Sequence, residues 1–176
     1  MDKGIESGGH GHSSAPSLFT LVSSVIANSP NGPPLLAAGG LSNGTQIASL
    51  LTLGTAGAVL GTRFLLTPES LYTFAQKKAL LTAKNDSTVR TLAFDRARGT
   101  VGWPNGIDGR ALFNDTVKDD NNGVSIDQVK KNFAEGVANG DPQKMLVWAG
   151  TGVGLMTEVK DAKVSSSTKS ATISLT

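Results

Sequence analysis

The residues richest in chemistry stand together in "GIESGGHGH", where three glycines, Gly4, Gly8 and Gly9, precede a titratable His10. Glycine lets a backbone take positive φ and approach a ligand closely, and an imidazole changes charge near neutral pH. The pair suits a proton-handling loop beside a bound small molecule, and taken alone it suits a surface loop equally well. Glu6 reads either as a carboxylate orienting the histidine or as a plain loop charge. His12 could join His10 on a metal, but no third ligand follows nearby, so no metal site is expected.

Two further spots lie one strand–helix unit apart. "AAGG" at residues 37–40 and "GT" at 61 and 62 each close a short apolar run. If those runs are consecutive parallel strands, their ends are neighbours at one rim. The amides of Gly39, Gly40 and Gly61 and the hydroxyl of Thr62 then offer donors to a dianion near helix N-termini, where the helix dipole also favours negative charge. Either pair alone reads as turn glycines; together they predict a phosphate cradle.

The surrounding pattern supplies those strands. Pro16 opens a helix with Leu18, Phe19, Leu21, Val22, Val25 and Ile26 on one stripe, ended by residues 28–34. "LLAAGG" (35–40) reads as a strand buried on both faces. "SNGTQIASLLTLG" offers a cap at Ser42 or Asn43 and a left-handed stop at Gly54. "AGAVLGTRFLL" (56–66) reads as a second buried strand, and Thr67-Pro68-Glu69 as the cap of a helix over 68–83. This order predicts an α/β fold with βα units around a parallel sheet. Beyond it, 88–94 alternates like a strand, 99–109 reads as a long ordered loop, and Ser125 with Gln128 predicts a capping box for a helix through Val137. Residues 145–156 read as a helix or close-contact loop, and 164–176 as disordered.

Three patterns are set aside. "GTGVGL" (150–155) has Leu155 where a dinucleotide fingerprint needs its third glycine. "KDDNNGVSIDQV" (118–129) puts Lys118 and Val129 where a calcium loop needs its first and last ligands. Trp103 and Trp148 lack a basic setting and read as packing residues rather than stacking platforms. Composition agrees: 16 Lys and Arg against 14 Asp and Glu leave no field for nucleic acid or anionic lipid. Zero cysteines exclude disulfides and thiolate sites. With no apolar run long enough to span a membrane, an intracellular, cytoplasmic placement is expected.

On "GIESGGHG", "PLLAAGGLSNGTQIASLLTLGTAGAVLGTRFLLTPES" and "ARGTVGWPNGIDGRAL", the chain resembles the C-terminal half of the nitronate monooxygenases, over roughly residues 3–160. The resemblance implies part of an FMN-dependent (β/α)8 TIM barrel with an added helical subdomain. It also implies oxidation of alkyl nitronates by O₂ to a carbonyl compound and nitrite. His10 is then the catalytic residue, and Gly9, Gly39, Gly40, Val59, Leu60, Gly61 and Thr62 hold FMN. Three positions depart from the family pattern: Lys3 and Val59 each stand where a Gln is common, and so does Thr151.

The resulting division is 1–67 as barrel, 68–143 as helical subdomain with a long loop, 144–160 as a segment returning to the barrel, and 161–176 as tail. Two parallel strands cannot close a barrel of eight, so the expectation is a truncated chain that binds FMN weakly or not at all and whose open sheet edges offer a route to self-association. The competing expectations are another FMN-barrel oxidoreductase, of the enoyl reductase or 2-hydroxy-acid oxidase type, and a non-catalytic phosphate-binding or interaction remnant.

Overall fold

A computed structural model describes residues 3–163. The tail assigned to disorder lies outside the described residues from position 164 onward. Two sheets organise the chain. The strands β1 (Gly9–His12), β4 (Thr88–Thr91) and β5 (Ile107–Leu112) form an antiparallel sheet in the order β1-β5-β4, and β2 (Leu36–Ala38) pairs in parallel with β3 (Gly57–Val59).

Helix α1 (Leu18–Asn28) starts where the sequence places it. Ser17 caps it by accepting from the Thr20 N–H, and the Glu6 carboxylate accepts from the Leu18 N–H at 2.9 and 3.1 Å. Its stripe is only partly covered: Leu18 and Val22 are buried, but Phe19 and Val25 are exposed. Helix α2 (Gly44–Leu53) begins at Asn43 in a full capping box with Gln46 and stops at Gly54, φ +113°. Burial of β2 on both faces is a correction: Ala37 is buried, whereas Leu36 is exposed.

The second apolar run is a three-residue strand rather than an eleven-residue one. The chain turns at Gly61 into a short helix, α3 (Thr62–Leu65), because Arg63 buries its guanidinium and donates to the carbonyls of Leu66 and Glu158. Residues 67–70 are turns and bends and 71–73 are irregular, so the following helix α4 (Phe74–Thr82) starts later than Pro68 suggests, at a capping box of Thr73 and Gln76. The alternating stretch at 88–94 is strand only to Thr91, because Ala93 and Phe94 already belong to α5 (Ala93–Arg98), with Phe94 fully buried.

The loop expected over 99–109 ends early, and its last three residues enter β5, the central strand of the larger sheet. Thus the 68–143 stretch carries strands as well as helices, and β5 ties it to β1. After α6 (Asp115–Asn121), helix α7 (Ile126–Asn139) keeps half of the expected box: Ser125 accepts from the Gln128 N–H, while the Gln128 amide donates to Asn132 instead. Residues 145–156 are not a regular helix. They run alongside β5, bridging Trp148 to Ala111, then wind into a 3-10 turn over Thr151–Leu155.

Adjacent β5 residues serve opposite faces, as the pleat requires. Ala111 packs with Ala93, Phe94 and Val117, whereas Leu112 joins Leu66, Leu80, Val147, Val153 and Met156. A third cluster, around Leu18, Val22, Ala37 and Leu50, seats α1 and α2 on the parallel pair. Among the described residues, no helix is long and apolar enough to cross a membrane.

Candidate active site

The two glycine turns and the start of β1 converge on one cavity of about 390 Å³. Its wall includes Gly8, Gly9, Gly39, Gly40, Val59, Gly61 and Thr62, so six of the seven residues assigned to FMN are brought together. Leu60 is not among them; it lines a neighbouring cavity of about 320 Å³ with Ser42, Asn43 and Arg63. The strand pair explains the convergence, since Ala38 and Val59 are register partners and the chain leaves both strands at the same end.

The first turn needs its glycines for the backbone, and the second does not. Gly39 and Gly40 have φ of +139° and +65°, and a Cβ on Gly40 would lie 2.8 Å from Glu6 Cβ and 2.9 Å from Thr151 Oγ1. Gly61 has an ordinary φ of −91°, and nothing lies within 4 Å of where its Cβ would be. The Thr62 hydroxyl oxygen accepts from the Gly150 N–H at 2.9 Å, which ties the second turn to the 3-10 segment and leaves the hydroxyl proton for another acceptor. Lys3 and Ser7 complete this side of the wall. Lys3 donates to the Gly8 carbonyl at 3.3 Å, and burial, aided by the neighbouring Arg90 guanidinium, lowers its pKa below the usual lysine value.

His10 faces the other way. Along β1 successive side chains alternate, so Gly9 belongs to the cavity wall while the His10 ring crosses to the α5 side of the sheet. There its Nε2 lies 3.0 Å from both carboxylate oxygens of Asp95. Asp95 also accepts from Thr100 Oγ1 at 2.9 Å and from Trp103 Nε1 at 3.1 Å, both on Oδ1. Trp103 stacks on the imidazole with centroids 4.0 Å apart, and Trp148 meets it edge-on at 5.0 Å. Trp148 also lines the cavity, so the imidazole is separated from it by one aromatic ring and by the Gly9 backbone.

The tryptophans therefore do more than pack the interior: they hold the histidine. Nor does Glu6 orient it, since that carboxylate is spent on α1. His12 accepts at Nδ1 from the Ser14 hydroxyl at 3.0 Å, and no group of three His, Asp or Glu side chains suits a metal among the described residues. In the discarded calcium pattern, Asp120 pairs with Arg96 and Asp119 accepts from Asn132. In the discarded nucleotide pattern, a Cβ on Gly150 would lie 2.9 Å from the Glu6 carbonyl, so close packing accounts for that glycine.

The family model described as nitronate monooxygenase matches residues 2–164. The chain belongs to the nitronate monooxygenase family. A nitronate monooxygenase of Metarhizium robertsii is 37% identical over 171 residues, which are 92% of this chain and 48% of that relative. One from Neurospora crassa is 30% identical, over 91% of this chain and 44% of the relative. Among solved structures, FabK from Thermotoga maritima superposes with a TM-score of 0.71 at 26% identity, covering 94% of this chain and 51% of that one. A nitroalkane oxidase from Streptomyces ansochromogenes gives 0.70 at 28% identity, over 89% and 46%. The chain thus spans about half the length of the curated relatives it matches. Its α/β fold, with βα units on an open parallel pair, is part of a (β/α)8 barrel, and its family chemistry is that of a monooxygenase, an oxidoreductase.

Proposed function

We propose that this chain carries the FMN-phosphate cradle and the proton-handling histidine of an enzyme that oxidises alkyl nitronates with O₂ to a carbonyl compound and nitrite. The observation that carries the reading is the convergence of Gly9, Gly39, Gly40, Gly61 and Thr62 on one cavity. The wall fits a flavin phosphate. Its two turns bring backbone without side chains to the ligand, the Thr62 hydroxyl keeps a proton to donate, and the Ser7 hydroxyl in the same wall is buried with no protein partner. FMN bound there would supply the electron acceptor that O₂ reoxidises.

The chain's own residues do the rest. Gly39, Gly40, Gly61 and Thr62 bind the phosphate, and Lys3 adds positive charge near Gly8 and Gly9. Trp148 closes the wall between the phosphate cavity and the imidazole, so on this reading His10 meets the substrate outside that cavity, taking the proton α to the nitro group from a parent nitroalkane to leave the nitronate that is oxidised. Nitronate and O₂ are the small-molecule partners on this reading.

The test is titration of the purified protein with FMN, followed by flavin fluorescence, together with nitrite release from ethyl nitronate or propionate 3-nitronate. His10→Ala should lose nitrite release from neutral nitroethane by on the order of 10²–10⁴-fold, the usual contribution of a positioned acid or base, while release from preformed ethyl nitronate and FMN affinity persist. Equal rates from nitroethane in both proteins remove His10 from the mechanism.

A further inference from the structure

We propose that Asp95 is a positioning residue for His10: it holds the imidazole in the Nε2–H tautomer and so makes Nδ1 the atom that takes up a proton. This rests on reading His10 as the proton-handling group of the site. The argument begins at Asp95, whose side chain is 1% exposed. An indole N–H can only donate, so the Asp95 Oδ1 that meets Trp103 Nε1 is an acceptor. Oδ1 already accepts from Thr100 and Trp103, and on this proposal both oxygens accept, with His10 Nε2 carrying the hydrogen between them. Nδ1 then keeps its lone pair, and among the described residues it has no hydrogen-bond partner.

The aromatic pair fixes the remaining freedom. With Trp103 stacked at an interplanar angle of 21° and Trp148 at 65°, the ring is held in one plane. A half-turn within that plane would put carbon against the carboxylate and forfeit the bond. Thr100 closes the arrangement from the start of the loop over α5.

The asymmetry of the carboxylate supplies a sharp test. Both Thr100 and Trp103 bond Oδ1, so in Asp95→Asn the amide oxygen must stay on that side, because an amide NH₂ facing the indole N–H would set donor against donor. The amide nitrogen then takes the place of Oδ2, 3.0 Å from His10 Nε2, and donates to it. The amide nitrogen favours the Nδ1–H tautomer, although the amide oxygen at the Oδ1 position, also 3.0 Å from Nε2, can still accept from it, so the population shifts toward Nδ1–H.

Two-bond ¹H–¹⁵N correlation spectra of ¹⁵N-labelled protein, at a pH where the imidazole is neutral, read this directly without any flavin. The His10 signal is assigned by its absence in His10→Gln. Protonated Nε2 in the wild type and a rise in protonated Nδ1 in Asp95→Asn are expected. In Asp95→Asn/Trp103→Phe, which lacks the donor that orients the amide, protonated Nε2 should partly return. Nitrite release from neutral nitroethane by Asp95→Asn should fall toward the level of His10→Ala, while release from preformed ethyl nitronate persists. A wild type protonated at Nδ1 overturns the proposal even if no variant folds, and so does a tautomer population in Asp95→Asn unchanged from the wild type. A shift of the tautomer in a protein that never oxidises nitronates upholds the positioning role and overturns the functional reading.

Discussion

Replacing the rim glycines one at a time separates what the turns need for folding from what they offer a ligand. Gly40→Ala forces a side chain into φ +65°, which costs an L-residue about 1–2 kcal/mol. The new Cβ also meets Glu6 Cβ at 2.8 Å and Thr151 Oγ1 at 2.9 Å, and overpacking of that kind costs about 1–3 kcal/mol. Together the loss is about 2–5 kcal/mol, or roughly 4–20 °C in the melting midpoint of a chain this long. Gly39→Ala keeps the backbone strain, at φ +139°, but its nearest neighbour, the Gly4 carbonyl oxygen, is 3.4 Å away, so it should cost less. Gly61→Ala meets nothing and keeps an ordinary φ, so it should stay within about 0.5 kcal/mol. Urea unfolding followed by circular dichroism gives all three values. If Gly61→Ala destabilises as much as Gly40→Ala, the two turns are not built as described and the reasoning fails.

Two other outcomes follow from single contacts. Burial raises the Tyr72 phenol above its ordinary value of 10.0, against the opposing pull of the bond it accepts from the Trp148 N–H. The folded protein therefore keeps that proton where the unfolded chain has released it, so stability should fall as the pH rises above about 10. Tyr72→Phe should remove that part of the slope in pH-dependent urea melts, and an unchanged slope would count against the assignment. Glu6→Gln keeps an acceptor for the Leu18 N–H but removes the negative charge at the start of α1, so a loss of about 0.3–1 kcal/mol is expected by the same melts. No loss, or a gain, would show that Glu6 has a different task.

The parallel pair and its two turns were legible because their signals are local: an apolar run, two glycines, a cap, a helix and a stop all fall within thirty residues. The strand β5 was hidden because "IDGRAL" looks like more of the preceding glycine- and proline-rich loop. Its Asp108 and Arg110 share a face where Arg90 bonds Asp108, and Gly109 is there because a Cβ would lie 2.6 Å from the Trp148 ring. Each of those reasons is a contact with a distant segment. The same holds for the histidine. The glycine-rich loop pointed to His10, but its partner Asp95 is 85 residues away on a six-residue helix whose first two residues the alternating pattern assigned to a strand. The two tryptophans gave no sign of a role because aromatic residues most often pack cores. Their spacing from His10 means nothing until β5 brings them together.

The pairing of β1 with β5 also bears on synthesis. His10 lies opposite Gly109 in the ladder, so β1 cannot meet β5 until about a hundred further residues have been made. At 5–20 residues per second that is a wait of roughly 5–20 s, during which the glycine-rich segment lacks its β5 partner while α1, β2, α2 and β3 can already associate. The phosphate-side turns can thus be in place well before the imidazole finds its carboxylate. Ribosome-bound nascent chains cut short ahead of Ile107 should accordingly show a native-like β2–β3 unit and a histidine still open to solvent.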